Sequence, residues 1–178
     1  MSCSGTQVHT TPEGELIFQS GFEDDSRVVS RGNDSDISGS DLSLAAHSDW
    51  SEFDNHPNIG SFNIQYQGGD STMRRAAIIP EPGNPNNLVL EFWLHKPNVG
   101  NASKGRIQAN LYGNNGLTEV YQSVRVFLTD DFHTVRKFPK EIHWLTLAEF
   151  WNNITWSQEV PYGFRITLGI GKPTANES

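Results

Sequence analysis

The stretch Arg106-Ile107-Gln108-Ala109-Asn110-Leu111-Tyr112 alternates polar and apolar residues with a period of two, a pattern that suits a strand and that a helix would scatter around its circumference. It predicts a half-buried strand with Ile107, Ala109 and Leu111 toward a core and Arg106, Gln108, Asn110 and Tyr112 on the opposite face. A solvated sheet face more often carries Lys, Glu, Ser and Thr. A cation, two amides and a phenol in one row hydrogen-bond hydroxyls and carboxylates, which makes a sugar the first ligand to consider. The plainer alternative is an ordinary polar sheet face.

The rest of the chain repeats the strand signal. Residues 61–67 alternate cleanly, Gly68-Gly69-Asp70 turns the chain, and 74–79 follows as a strand. A cluster of breakers from Pro80 to Asn86 precedes a strand over 88–95, and further strands are expected at 15–19, 120–128 and 164–170. Residues 26–57 are rich in Ser, Asp, Asn and Gly and predict long loops around one short strand near Arg27-Val28-Val29. Residues 145–153 predict a short helix capped by Thr146, with Leu147, Phe150 and Trp151 on its buried side. Many short strands with one short helix imply an all-β chain, a jelly-roll β-sandwich, over 15–172. Residues 1–14 and 173–178 are expected to be polar tails.

Of a net charge of −8 over 178 residues, nine carboxylates and two arginines between Glu23 and Asp54 supply −7. An acidic chain without a basic stripe does not suit nucleic acid. No run of eighteen apolar residues is present, so no membrane-spanning segment is expected. Within the acidic region Asp24, Asp25, Asp34 and Asp36 offer hard oxygen ligands and are candidates for a structural calcium, against the alternative of a solvated loop. The single cysteine, Cys3, lies among small polar residues in the way a bacterial lipoprotein begins once its signal peptide is removed. The expectation is export to the periplasm, cell surface or exterior, with a lipid anchor at Cys3.

If each strand buries its more apolar residues, the opposite faces can be collected. Leu88, Leu90, Phe92 and Leu94 go inward and leave Glu91, Trp93 and His95. Val124, Val126 and Leu128 leave Tyr121 and Arg125, and Ile166, Leu168 and Ile170 leave Arg165. With the first row these would form one concave surface, in which rings stack on sugars, amides bridge hydroxyls and arginine grips a uronate carboxylate. Such a surface suits an acidic polysaccharide. In a β-elimination Arg106 with Gln108 or Asn110 would neutralise the carboxylate, His95 or Tyr112 would remove the proton at C5, and Tyr121 would protonate the leaving oxygen. Each residue also has a plain reading: a strand-end histidine, rings covering a sheet, and Arg125 and Arg165 paired with Glu91 and Glu119. Motifs for zinc proteases, nucleophile elbows and phosphate loops are absent from the sequence.

Leu16-Ile17-Phe18-Gln19-Ser20-Gly21-Phe22-Glu23, Pro85-Asn86-Asn87-Leu88-Val89-Leu90-Glu91-Phe92 and Gly105-Arg106-Ile107-Gln108 resemble secreted concanavalin A-like jelly-roll proteins, among them bacterial polysaccharide lyases of the heparin-lyase and glucuronan-lyase type. The resemblance implies a groove for acidic polysaccharide on a concave sheet and a structural calcium. A Tyr-x-Lys pair of the kind such lyases carry on a late strand is absent here, so a fragment of a longer domain is also expected. The two functional alternatives are a non-catalytic lectin-like module on the same face and a structural surface or adhesion domain.

Overall fold

Antiparallel pairing accounts for every strand assigned in the computed structural model, which describes residues 14–95, 105–112, 119–137, 141–151 and 165–172. Among the described residues the fold is all-β with two short helices, and the chain divides into two compact units, Met1–Val120 and Tyr121–Ser178. Among the described residues no helix is long and apolar enough to cross a membrane.

In the first unit, β1 (Arg27–Arg31) and β2 (Asp34–Ser38) form a hairpin that turns at Gly32, whose φ of 63° is open to glycine at no steric cost. The region expected as long loops is therefore largely ordered, and a short helix α1 (Trp50–Asp54) follows within it. Asp49 caps α1 by accepting from the Ser51 and Glu52 amides; the Ser51 hydroxyl, with those amides, holds its carboxyl below the ordinary value. β3 (Ser61–Gln67) and β6 (Arg106–Tyr112) keep the boundaries their alternation predicts, and they pair along their whole length to complete a sheet of order β1-β2-β3-β6. β4 (Arg74–Glu81) and β5 (Asn84–Leu94) make a separate ribbon. The breaker cluster supplies its turn: Pro82 presets φ and Gly83 takes φ 84°, so the chain reverses in two residues.

Ile37, Trp50, Phe62 and Ile64 are buried, with Val28, Tyr66 and Ile107 of the sheet and Ala76, Ile78 and Leu90 of the ribbon packed against them. The inner face of the sheet thus meets one face of the ribbon across an apolar core. Inward assignments hold for Leu90 and Ile107 but not throughout, because Phe92, Ala109 and Leu111 are exposed; Leu111 keeps 47 % of its surface. Alternation reports which side of a strand is apolar, while burial also needs a covering layer at that height.

Residues 15–19, expected as a strand, have no regular structure. The Gln19 amide N–H donates to the His47 carbonyl at 2.8 Å, and Phe18 stacks on Phe53 at 4.1 Å and meets Trp50 edge-on at 4.6 Å. Rings rather than a ladder hold this segment. Phe22, at the unusual φ of 66°, brings its own ring to 5.8 Å from Trp50. Behind it the Asp41 carboxylate is 1 % exposed and accepts from the Gly21 amide at 2.8 Å and the Ser43 hydroxyl at 2.6 Å. Burial pushes this carboxyl up. The Ser43 hydroxyl and the amides of Gly21, Glu23 and Ser43 outweigh burial and leave it below its usual value.

In the second unit, β7 (Ile142–Trp151) pairs with β8 (Arg165–Lys172) through two irregularities in register, and α2 (Phe132–Arg136) precedes them. The helix expected at 145–153 is a strand as far as Trp151, and 152–153 lie outside the described residues. Leu147, Phe150 and Trp151 fit a helical spacing, but a β8 partner satisfies the backbone as a ladder, and tertiary pairing overrides so short a pattern. Residues 120–128, expected as a strand, have no ladder, and Val124, Val126 and Leu128 are exposed rather than inward.

Two outcomes are expected on this basis. A methyl group on Gly39, where φ is 90°, would stand 2.3 Å from the Asp25 carbonyl oxygen. Gly39→Ala should cost about 2 kcal/mol or more, read as a lower urea midpoint at unchanged slope. Asp41→Asn should cost about 1–3 kcal/mol. An unfolded aspartate titrates near 3.9 and the folded one lower, so the native carboxylate stabilises fully above that value and its contribution drains away as pH falls through the folded value. The variant should therefore show a flatter acid limb in urea melts taken from neutral to low pH.

Candidate functional site

The β3–β6 register decides what the polar row meets. Tyr112 lies opposite Ser61, Asn110 opposite Asn63, Gln108 opposite Gln65 and Arg106 opposite Gln67, all on the side away from the core. The row found by alternation is thus half of a polar face that spans two strands. A third contributes Asp34 and Asp36, because Ser35 pairs with Ile64 and their side chains take the inner face.

Hydrogen bonds tie this face together. The Gln108 Nε2 donates to Asn110 Oδ1, and Asn110 Nδ2 donates to Asn63 Oδ1 and to the Gln108 carbonyl, each at 3.3 Å. Asn63 Nδ2 in turn donates to Asp34 Oδ2 at 3.4 Å. Asn110 is only 6 % exposed and both its amide hydrogens are engaged. Its side chain is thus spent on neighbours within the face. Arg106 differs from Arg31, Arg75 and Arg165 in having no carboxylate partner among the described residues. Tyr112, 43 % exposed, feels partial burial and the Asp34 charge, which raise its phenol above 10.0, against the opposing pull of Arg106. Its hydroxyl stays protonated at neutral pH and is suited to donate.

Within the first unit Trp93 and His95 do not join this face. Trp93 and Glu91 lie on the ribbon, on the side opposite Ala76, Ile78 and Leu90, so the core stands between them and the Arg106 row. Arg75 sits over the Trp93 ring at 5.0 Å and pairs with Glu91 at 3.0 Å. His95 follows this ribbon, 6.1 Å from the Trp93 ring, and its amide donates to the Met73 carbonyl. His95 thus follows a strand of the ribbon, across the core from the Arg106 row. Strand alternation separates the faces of each strand but carries no information on which sheet a strand enters.

Tyr121, Arg125 and Arg165 belong to the second unit. Tyr121 is 91 % exposed outside any strand, and Arg165 on β8 pairs with Glu149 and lies over the Trp151 ring at 5.2 Å, so Glu149 and Arg75 take the partnerships expected of Glu119 and Arg125. Cys3 lies outside the described residues.

The four acids considered for calcium are each engaged by groups of the protein. Asp24 accepts from the Ser43 amide at 2.8 Å and Asp25 from the Ser40 amide at 2.6 Å, both holding the loop after β2. Asp36 pairs with Arg31 at 3.3 Å and Asp34 with Asn63. Among the described residues no three His, Cys, Asp or Glu side chains converge to hold a metal.

Sequence reasoning missed Asn63 and Gln65 and considered Asp34 only for calcium. The signal for both amides was present, since Ser61-Phe62-Asn63-Ile64-Gln65 carries the same alternation as Gln108 and Asn110.

Comparison with protein-family models, curated proteins and solved structures found no match.

The tyrosine carries its own test. A phenol with a raised value in the folded state retains its proton while unfolded tyrosine ionises, so its contribution is intact below pH 10 and is lost as pH rises through the folded value. In a spectrophotometric titration Tyr112→Phe should remove a late-titrating phenol, and Asp34→Asn should bring that phenol down.

Proposed function

We propose that the outer face of the four-stranded sheet binds an acidic polysaccharide, in an exported carbohydrate-binding domain. One observation carries this reading: Arg106, without a carboxylate partner among the described residues, stands in a row with Gln108 and Tyr112, beside the amides of Asn63 and Gln65. A uronate carboxylate would take two parallel hydrogen bonds from the Arg106 guanidinium. The sugar hydroxyls would exchange hydrogen bonds with Gln65, Gln108 and the Tyr112 phenol, while Asn110 and Asn63 hold those side chains in place. Two layers of antiparallel sheet around one core are compatible with a sandwich of the concanavalin A-like, jelly-roll type.

Binding is favoured over cleavage. Elimination at C5 needs a neutralised carboxylate, a base and a proton donor. Arg106 and a protonated Tyr112 suit the first and third tasks, and this pair supports a lyase as the second reading. No base stands with them in the roles assigned from sequence, since His95 is on the ribbon and Tyr112 is the wrong way poised to accept.

Titration calorimetry with glucuronan, alginate and a neutral glucan tests the proposal. Arg106→Ala should weaken binding of the uronate polymer by about tenfold or more, the size of a charged hydrogen bond of 1.5–3 kcal/mol, and leave any neutral-glucan binding unchanged. Equal loss for both polymers would remove the carboxylate from the account. A rise in absorbance from unsaturated ends, abolished in Tyr112→Phe, would move the assignment to the lyase.

A further inference from the structure

The two ribbons of this chain carry the same constellation at the same register. In the first unit Arg75 lies opposite Trp93, Ala76 opposite Phe92, Ala77 opposite Glu91 and Ile78 opposite Leu90. In the second unit Arg165 lies opposite Trp151, Ile166 opposite Phe150, Thr167 opposite Glu149 and Leu168 opposite Ala148. Each arginine pairs with the glutamate two residues before the tryptophan and sits over the indole ring, at 5.0 Å in one ribbon and 5.2 Å in the other. Glu91-Phe92-Trp93 and Glu149-Phe150-Trp151 mark the likeness in the sequence, although the arginine strand comes first in one ribbon and second in the other. What is shared is a ladder environment, not a chain order.

Successive strand residues point to opposite sides, so the polar triad fixes which side of each ribbon is apolar. In the first unit that side carries Ala76, Ile78 and Leu90, which pack against the buried Ile37, Trp50, Phe62 and Ile64. In the second it carries Ala148, Phe150, Ile166 and Leu168, continued by the Leu145–Ile170 pair. There Phe150, Ile166 and Leu168 keep 45, 58 and 62 % of their surface, and among the described residues no layer covers them. An isolated two-stranded ribbon is marginally stable in water, and a contiguous apolar side marks an interaction surface.

Shape and charge say what covers it. On β7 the large Phe150 and the small Ala148 share the face, a pattern that a two-fold axis turns onto itself. Residues 121–178 hold six acids and six bases, so the whole net charge of −8 lies before them and two copies meet here without net repulsion.

We infer that the apolar side of the β7–β8 ribbon is a self-association surface that takes the same ribbon of a second copy of this chain. The two ribbons stack face to face about 10 Å apart, as sheets in a sandwich do, with Phe150 seated over the partner's Ala148. A face of three residue pairs is small, so the dimer belongs to the transient class and dissociates in the micromolar range.

Sedimentation velocity of the whole chain, from micromolar to sub-millimolar concentration, tests this. The wild-type protein should pass from monomer to dimer across that range. Leu168→Glu places a charge in the interface and should weaken the dimer at least about tenfold, because that charge would be buried without a partner. Thr167→Lys, one residue away on the opposite side and across from Glu149, should leave the dimer intact. Since Leu168 is exposed in one copy, Leu168→Glu should keep the circular dichroism and urea midpoint of the monomeric wild type. Four results overturn the inference: a wild type that stays monomeric throughout, a dimer that survives Leu168→Glu, equal loss in Thr167→Lys, or unfolding of the monomer by Leu168→Glu, which would mean that one chain covers this face by itself.

Discussion

Packing around the Trp50 ring is the interaction on which the first unit depends. Phe18 and Phe22 reach it from a segment without secondary structure, Phe53 from its own helix and Phe62 from β3. A helix of five residues has no independent stability, so α1 exists because this ring and its neighbours bury one side of it. Edge-on and stacked rings add about 0.5–1.5 kcal/mol per pair beyond their buried area, and this cluster joins parts of the chain that no ladder connects. Its cost is an indole N–H buried without a partner, of the order of 1–3 kcal/mol.

Around that hub, carboxylates take the place of regular structure. Asp24, Asp25, Asp41, Asp49 and Asp54 each accept a backbone amide in the stretch from Gly21 to Phe62. In this acid-rich region these carboxylates accept hydrogen bonds from loop amides, each holding a turn. This explains how a region of Ser, Asp, Asn and Gly becomes ordered with few apolar residues of its own.

The amide row has a different logic. Asn110 and Asn63 spend their hydrogen bonds on each other and on Gln108 and Asp34, so they restrain the side chains beside them. Arg106 and Tyr112 stay on the open part of the face. Arg106 at one end of β6 and Tyr112 at the other frame the amides between them, and partial burial and the Asp34 charge raise the Tyr112 phenol.

Much of this was legible in the chain. β3 and β6 follow from alternation to the residue, and the Pro82-Gly83 turn from the conformations those residues prefer. The contrast at β7 is instructive: Leu147, Phe150 and Trp151 satisfy a helical period and a strand equally, and pairing with β8 chose the strand. Likewise Trp93 and His95 share a strand pattern with Arg106 but lie across the core from it. What the sequence by itself determined is local: which side of a strand is apolar, where a turn is permitted, and which side chains share a row. Which strands become neighbours, which acids meet amides, and which polar groups are left without partners were decided by the tertiary structure, because those depend on contacts between residues far apart in the chain that no local period records.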